Sequence, residues 1–179
     1  MNLSELSDEK LVVLVQSVFD QNAYSELVRR HQSALEAFLI GYTNDRYMAQ
    51  DLCQEALIKG YTKIRQFKQD CSFKTWLFSI AYREFLQSQR KLFSFVKLKR
   101  ILSETRDKKI DEKPEITIDL SKALQALDQN ERAAVLLSEL CGLSHQEVAI
   151  AMNMPLGSVK TYIRRGKGKL LERGNIYNG

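Results

Sequence analysis

The chain has 179 residues, 44% hydrophobic and 27% charged, with a formal net charge of +5, the balance of a globular protein of one or two domains. No apolar run approaches the ~18 residues that a membrane span requires. Met1 to Lys10 is polar and acidic, without the basic flank and apolar centre of a signal peptide, so the expectation is a cytoplasmic protein with no direct membrane insertion.

Helical periodicity dominates, the two prolines are Pro114 and Pro155, and no alternating β-branched run suggests a sheet. The predicted fold is all-α: two small helical domains joined by a flexible linker. A first helix begins after Ser7, a good N-cap, with Asp8 and Glu9 in its first turn. A second carries Tyr24, Leu27, Val28, His31, Leu35, Phe38, Leu39 and Tyr42 on one stripe and stops near Gly41 and Thr43-Asn44. His31 lies within that stripe and reads as a satisfied interfacial histidine. A third helix spans about Asp45 to Arg65 and a fourth, after a polar loop, about Phe73 to Lys91. Residues 96–118 read as the linker, because they are charged, weakly periodic and contain Pro114, which biases Lys113 away from helix. Beyond it, Leu120, Ala123, Leu124 and Leu127 form one short stripe, and Ala134, Leu137, Leu140 and Cys141 contribute to another. The division is therefore 1–95, 96–118 and 119–179, with modest cores and relative motion between the two domains.

Charge is distributed unevenly. Residues 90–100 hold five basic residues and no acid, residues 160–173 hold six basic residues and one acid, and residues 101–120 between them hold six acids against four bases. Two basic patches around an acidic stretch suggest two contacts with a polyanion. Cys53, Cys71 and Cys141 are far apart and form no C-x-x-C pair, which points to thiols in a reducing compartment and to no metal or other cofactor. Cys71, in a polar stretch, is the candidate for redox sensing. No nucleophile-base pair, P-loop or dinucleotide fingerprint is present, so no catalytic activity is expected.

The C-terminal part carries the most specific signal. Ser144-His145-Gln146-Glu147 fits a capping box, and the helix it opens is broken at Asn153-Met154-Pro155. Ser158 reads as the N-cap of a second helix. Helix, short turn, helix is the geometry that lays a second helix into the DNA major groove. On that helix Val159, Ile163 and Leu170 point toward a core, and Thr161, Arg164, Arg165 and Gly168 form another stripe flanked by Lys160 and Lys167. Arginine pairs bidentately with guanine, and lysine and threonine reach bases or phosphates. Gly166 and Gly168 each weaken the helix by about 0.8–1.0 kcal/mol relative to alanine, so the free helix is expected to fray after Arg165.

The segment LSKALQALDQNERAAVLLSELCGLSHQEVAIAMNMPLGSVKTYIRRGKGKLLE resembles region 4 of bacterial sigma factors, the domain that reads the −35 promoter element. The resemblance implies −35 contacts by Ser158, Lys160, Thr161, Arg164, Arg165 and Lys167. Asp51-Leu52-Cys53-Gln54-Glu55-Ala56 resembles the D-L-x-Q-E core of sigma region 2. Asp51, Gln54 and Glu55 share a helix face by spacing alone. In the family this face binds the clamp helices of the polymerase's largest subunit, with Leu57 and Tyr61 at its edge. Phe67-Lys68-Gln69-Asp70-Cys71-Ser72 and the following Phe73-Lys74-Thr75-Trp76 resemble the region that opens the −10 element by capturing single-stranded bases. The resemblance implies that Phe67 to Ser72 form a pocket loop, with Lys74 and Arg83 near it and Arg90 and Lys91 on the duplex backbone. Phe73 and Trp76 read as structural. Arg83 stands where relatives have asparagine, and either a base or a phosphate suits it.

From Leu6 to Leu171 the chain is most similar to the short, two-domain sigma factors of the extracytoplasmic-function group. The implied partners are core RNA polymerase (clamp helices and flap), promoter DNA and an anti-sigma factor. The alternative is a stand-alone helix-turn-helix regulator, which would bind duplex DNA without polymerase.

Overall fold

Residues 2–102 and 118–176 are described by the structure, a computed structural model. After a short 3-10 turn at Leu3–Glu5, α1 (Asp8–Val18) buries Leu11, Val12 and Val15. Ser7 stands at its N-cap position, but its side chain makes no capping bond. In α2 (Gln21–Thr43) the Asp20 carboxylate accepts from the backbone N–H groups of Asn22 and Ala23, and Asn44 ends the helix in the left-handed region at φ 55°. Gly41 thus lies inside this helix rather than ending it. The predicted stripe is buried at Tyr24, Leu27, Leu35, Phe38, Leu39 and Tyr42. His31 meets Asp8 of α1 at 2.5 Å, the interfacial role its position suggests.

Asp45 caps α3 (Arg46–Lys63) through the Met48 N–H, and a 3-10 turn at Ile64–Gln66 follows. Ser72 caps α4 (Phe73–Leu102): its hydroxyl accepts from the Thr75 N–H at 3.1 Å. This helix runs well past Lys91 and takes in the first residues of the expected linker. The physical reason is plain in the sequence, which has neither glycine nor proline between Phe73 and Leu102. The rest of the predicted linker, 103–117, lies outside the described residues.

The C-terminal half contains α5 (Ile118–Gln125), α6 (Gln129–Val135), a π-helical turn at Leu136–Leu140, α7 (His145–Met152) and α8 (Leu156–Ile176). Asp128 and Glu131 form a capping box at α6. The wide turn is closed by Cys141 N–H to Leu136 C=O at 3.0 Å and Leu143 N–H to Leu137 C=O at 3.0 Å, with Gly142 at φ 69° between them. Leu124, Leu127, Ala134, Leu137 and Cys141 are buried as their spacing predicts, but Leu120 is 60% exposed and Leu140 53% exposed.

The two halves do not keep separate cores: their buried residues form one connected cluster. Helix α7 packs along α4, and the π turn packs on α2. There Gly41 lets the backbone come close, since a Cβ at that position would stand 3.0 Å from Leu136 Cδ2. Arg132 donates to the Tyr42 carbonyl at 3.2 Å, and the Tyr82 hydroxyl lies 3.4 Å from Asn130 Oδ1. Two small domains gain by sharing apolar area that each would otherwise leave in water.

Candidate nucleic-acid interface

The helix-turn-helix is built locally. Glu147 reaches back to the Ser144 backbone N–H at 2.9 Å, and Ser144 Oγ accepts from the Glu147 N–H at 3.3 Å. Asn153, at φ 52°, closes α7 in the left-handed conformation that asparagine tolerates. The start of α8 differs from the sequence expectation. The Pro155 carbonyl accepts from the N–H groups of Ser158 and Val159, at 3.0 and 3.2 Å, so Ser158 lies inside the first turn and is not the N-cap. Proline has no N–H to leave unpaired where the chain enters a helix.

Along α8, Val159, Ile163 and Gly166 are buried and Leu170 is half-buried, while Lys160, Arg164, Arg165 and Lys167 are exposed. The half-buried Thr161 donates its hydroxyl to the Gly157 carbonyl at 2.9 Å. Lys167 pairs with Glu139 of the π turn at 3.2 Å, which draws it away from the other cations. The helix continues through both glycines to Ile176 rather than ending near Arg165. At Gly166 the reason is close packing: a Cβ there would stand 2.6 Å from Val135 Cγ2.

The 67–72 loop separates into buried and outward-facing residues. Phe67, expected in the pocket loop, is 5% exposed and stacks on Trp76 with centroids 4.8 Å apart. The preceding 3-10 turn, closed by Phe67 N–H to Ile64 C=O, drops its ring beneath the loop beside the buried Phe73. Lys68, Gln69, Asp70 and Ser72 face outward, with Gln69 at φ 58°, and Cys71 is half-buried. Burial and the neighbouring Asp70 and Glu147 carboxylates push the Cys71 thiol up, away from the thiolate that redox sensing needs. Gln16 of α1 clamps this loop, donating to the carbonyls of Ile64 and Phe67 at 2.8 Å each. Sequence reasoning missed that contact, because a lone polar residue on an amphipathic helix carries no local sign of it. Arg83, Arg90 and Lys91 are exposed. Arg83 folds back on its own helix, donating to the Ser79 carbonyl at 3.0 Å and hydroxyl at 3.1 Å.

Lys74, like Lys167 and Arg83, is engaged within the protein. Lys74 donates to the Cys141 carbonyl. Beside it, Glu147 Oε1 accepts from the Thr75 hydroxyl at 3.0 Å and lies 3.4 Å from the Ser72 hydroxyl. The Ser144 backbone N–H is the main cause holding the Glu147 carboxyl below its ordinary range; the Ser144, Thr75 and Ser72 hydroxyls add to it, against a raising effect from burial.

On α3, Asp51, Gln54 and Glu55 face solvent while Leu52, Cys53 and Ala56 are buried. Leu57 and Tyr61 are half-buried, and the Tyr24 hydroxyl donates to the Leu57 carbonyl at 2.6 Å. Tyr47 and Ile58, 82% and 60% exposed, extend this face and escaped the sequence reading. Positions 47, 51, 54, 55 and 58 fall on one helical stripe, the signal that could have found them. Separately, Ile40, Leu124, Leu136, Leu140 and Leu170 help line an apolar cleft of about 740 Å³ whose walls come from both halves of the chain.

Among the described residues no helix is long and apolar enough to cross a membrane, and no group of three His, Cys, Asp or Glu side chains is placed to hold a metal ion.

The family model described as Sigma-70 region 2 matches residues 27–92, and that described as Sigma-70, region 4 matches residues 117–170. The chain is 31% identical over 188 residues to the RNA polymerase sigma-H factor of Pseudomonas aeruginosa, covering 92% of each chain. It is 29% identical over 177 residues to the ECF RNA polymerase sigma-E factor of Escherichia coli K12, covering 91% of this chain and 92% of that one. Among solved structures, the sigma factor RpoE of Bartonella quintana, in complex with the anti-sigma factor NepR, superposes with a TM-score of 0.72 at 26% identity, covering 86% of this chain and 97% of that one. CnrH, in complex with the cytosolic domain of CnrY, shares the fold, with a TM-score of 0.70 at 23% identity over 94% of this chain and 97% of that one. The chain belongs to the extracytoplasmic-function group of the sigma-70 family, the non-catalytic factors that direct RNA polymerase to begin transcription at promoters.

Proposed function

We propose that this sigma factor works in the cytoplasm, reading a −35 duplex with α8 and opening the −10 element with the 67–72 loop and the outward face of α4. The observation that carries the reading is the sorting of α8. Lys160, Arg164 and Arg165 are exposed on a helix whose opposite side, Val159, Ile163 and Gly166, is buried behind a capped turn. Such a helix presents cations to phosphates and base edges without uncovering the core. Thr161 and Ser158 lie at its entry end, and Lys167 joins the contact when it leaves Glu139.

In the same reading, residues 1–95 form the polymerase-binding and −10 unit and 119–179 the −35 unit. Asp51, Gln54 and Glu55, bordered by Leu57 and Tyr61, dock on the clamp helices of the polymerase's largest subunit, and the C-terminal unit meets the flap. Lys68, Gln69, Asp70, Cys71 and Ser72 surround the captured base over a floor supplied by Phe67. Lys74 and Arg83 hold its strand, and Arg90 and Lys91 hold the upstream backbone. Binding energy opens the duplex, since stacking a base on an aromatic platform is worth about 1–3 kcal/mol. The similar sigma factor RpoE, solved with the anti-sigma factor NepR, supports an anti-sigma partner here too.

The test is transcription in vitro. Purified protein and core polymerase are incubated with fragmented genomic DNA and the transcript starts are mapped. Discrete starts sharing −35 and −10 sequences are expected. Duplex binding without polymerase and without new starts would instead identify a stand-alone regulator.

A further inference from the structure

Asn44 closes α2 at φ 55° and Asn153 closes α7 at φ 52°, in the left-handed conformation that asparagine tolerates. Helix α1 ends in the same conformation on Phe19, at φ 52°. A bulky side chain is an outlier on that backbone, and this one does not fill the core. Phe19 is 41% exposed, and Val18 beside it is 70% exposed. The Arg65 guanidinium carbon sits 3.8 Å from the centre of the Phe19 ring, and the Tyr61 ring meets Phe19 edge to face with centroids 6.4 Å apart. Among the described residues no ion pair joins Arg65 to a carboxylate.

Tyr61 connects this corner to α3. Asp51, Gln54, Ile58 and Tyr61 recur at helical spacing along one side of that helix, with Glu55 beside them. At 1.5 Å per residue the row is about 15 Å long, and the 3-10 turn at Ile64–Gln66 then sets the exposed Arg65 against Phe19. The row changes character along its length. Carboxylates stand at one end, Ile58 and Tyr61 make an apolar middle, and an aromatic ring beneath a cation stands at the other end.

We infer that Val18, Phe19 and Arg65 form a second anchor for core polymerase, continuous with the Asp51 face, and that the unlike ends of the row fix the direction in which the partner lies along α3. The inference rests on the docking reading of Asp51 and Glu55 given above. The complementary surface carries bases opposite Asp51 and Glu55, an apolar side chain over Val18 and Phe19, and an acid opposite Arg65. Turning that partner end for end would set its bases on Arg65 and its acid on Asp51, so charge selects one orientation. Aromatic and arginine side chains are the types that carry most of the binding energy at protein interfaces. Arg65 already packed on Phe19 loses less freedom on docking than a free side chain would.

The test measures binding of the full chain to core polymerase, by competition with the labelled native factor, together with the melting temperature of each variant. Phe19→Asn gives α1 the cap residue that α2 and α7 already use and deletes the ring. It is expected to melt near the wild-type temperature and to bind core polymerase about tenfold more weakly. Arg65→Glu, at an exposed position, should weaken binding further, because it sets acid against acid. Were the asparagine variant to fold poorly, Arg65→Glu alone decides the matter. Asp51→Lys with Glu55→Lys is measured alongside. Wild-type affinity in either single variant, while the double reversal still abolishes binding, overturns the second anchor and leaves the docking reading standing. A double reversal that binds normally while Phe19→Asn is weakened overturns the continuous face and the docking reading together.

Discussion

Gly166 of α8 lies so close to Val135 of α6 that a Cβ added to it would stand 2.6 Å from the valine Cγ2. This contact sets how near the reading helix sits to its support. Gly166→Ala should therefore destabilise the protein by about 1–3 kcal/mol, overpacking outweighing the better helix propensity of alanine. Gly168, two residues on, has nothing within 4 Å of the equivalent position, and Gly168→Ala should stabilise by about 0.8–1 kcal/mol. Urea unfolding of the two variants checks both signs. Equal shifts in the same direction would contradict the packing argument.

Arg165→Ala should cost about 1–3 kcal/mol at one −35 base pair if its guanidinium pairs with a base edge. Competition binding against a panel of single-base −35 variants measures it. A loss spread evenly over every sequence would assign Arg165 to phosphate.

Asp51→Lys with Glu55→Lys should abolish binding to core polymerase while leaving the melting temperature near wild type, because both side chains are exposed. Glu55 also pairs with Lys59 at 3.1 Å, but Lys59 keeps its 2.5 Å contact with Glu84, so α3 stays tied to α4. Polymerase pull-down with native protein as competitor is the measurement. Undiminished affinity would move the docking surface elsewhere. Tyr47→Ala and Ile58→Ala, on the same stripe, should each weaken binding at least several-fold.

Stability should fall in acid through Asp8. The His31 hydrogen bond, with Arg30 beside it, holds the Asp8 carboxyl below its ordinary range, against a smaller raising effect of burial. A carboxylate depressed in the folded state contributes its full stability above its unfolded pKa of about 3.9 and loses it as pH falls through the lower folded value. Asp8→Asn should destabilise by about 1–3 kcal/mol at neutral pH and flatten the stability loss as the pH falls below about 4. Denaturant titrations across that range test it, and a variant that retains the full wild-type acid slope would exonerate Asp8.

What could be read in the sequence was whatever repeats or caps locally. The α2 stripe, the Ser144–Glu147 box and the inward row Val159 and Ile163 all follow from spacing of a few residues. The end of α4 and the start of α8 were misplaced for different reasons. At α4, charge was read as linker where helix formers simply continue, and at α8 a good capping serine lay three residues past the real entry at Pro155. The place of Phe67 in the loop follows from its motif position, but a motif position does not say which way a ring turns after a 3-10 bend. Contacts between distant segments left no mark at all. Gln16 on the Phe67 carbonyl, Glu147 on Thr75 and Arg132 on the Tyr42 carbonyl each join a polar side chain to a group dozens of positions away, and hydrophobic periodicity carries no information about such pairs.

The apolar cleft lined by Ile40, Leu124, Leu136, Leu140 and Leu170 exists only while α2 and the π turn stay together. Its volume is therefore a thermodynamic handle on domain separation. Any molecule that fills it is linked by mass action to the docked arrangement, adding RT ln(1 + [L]/Kd) to the work of parting the two halves, about 2.7 kcal/mol at a hundredfold excess over Kd. Conversely, the affinity of such a molecule and the factor's readiness to open are two measurements of one equilibrium.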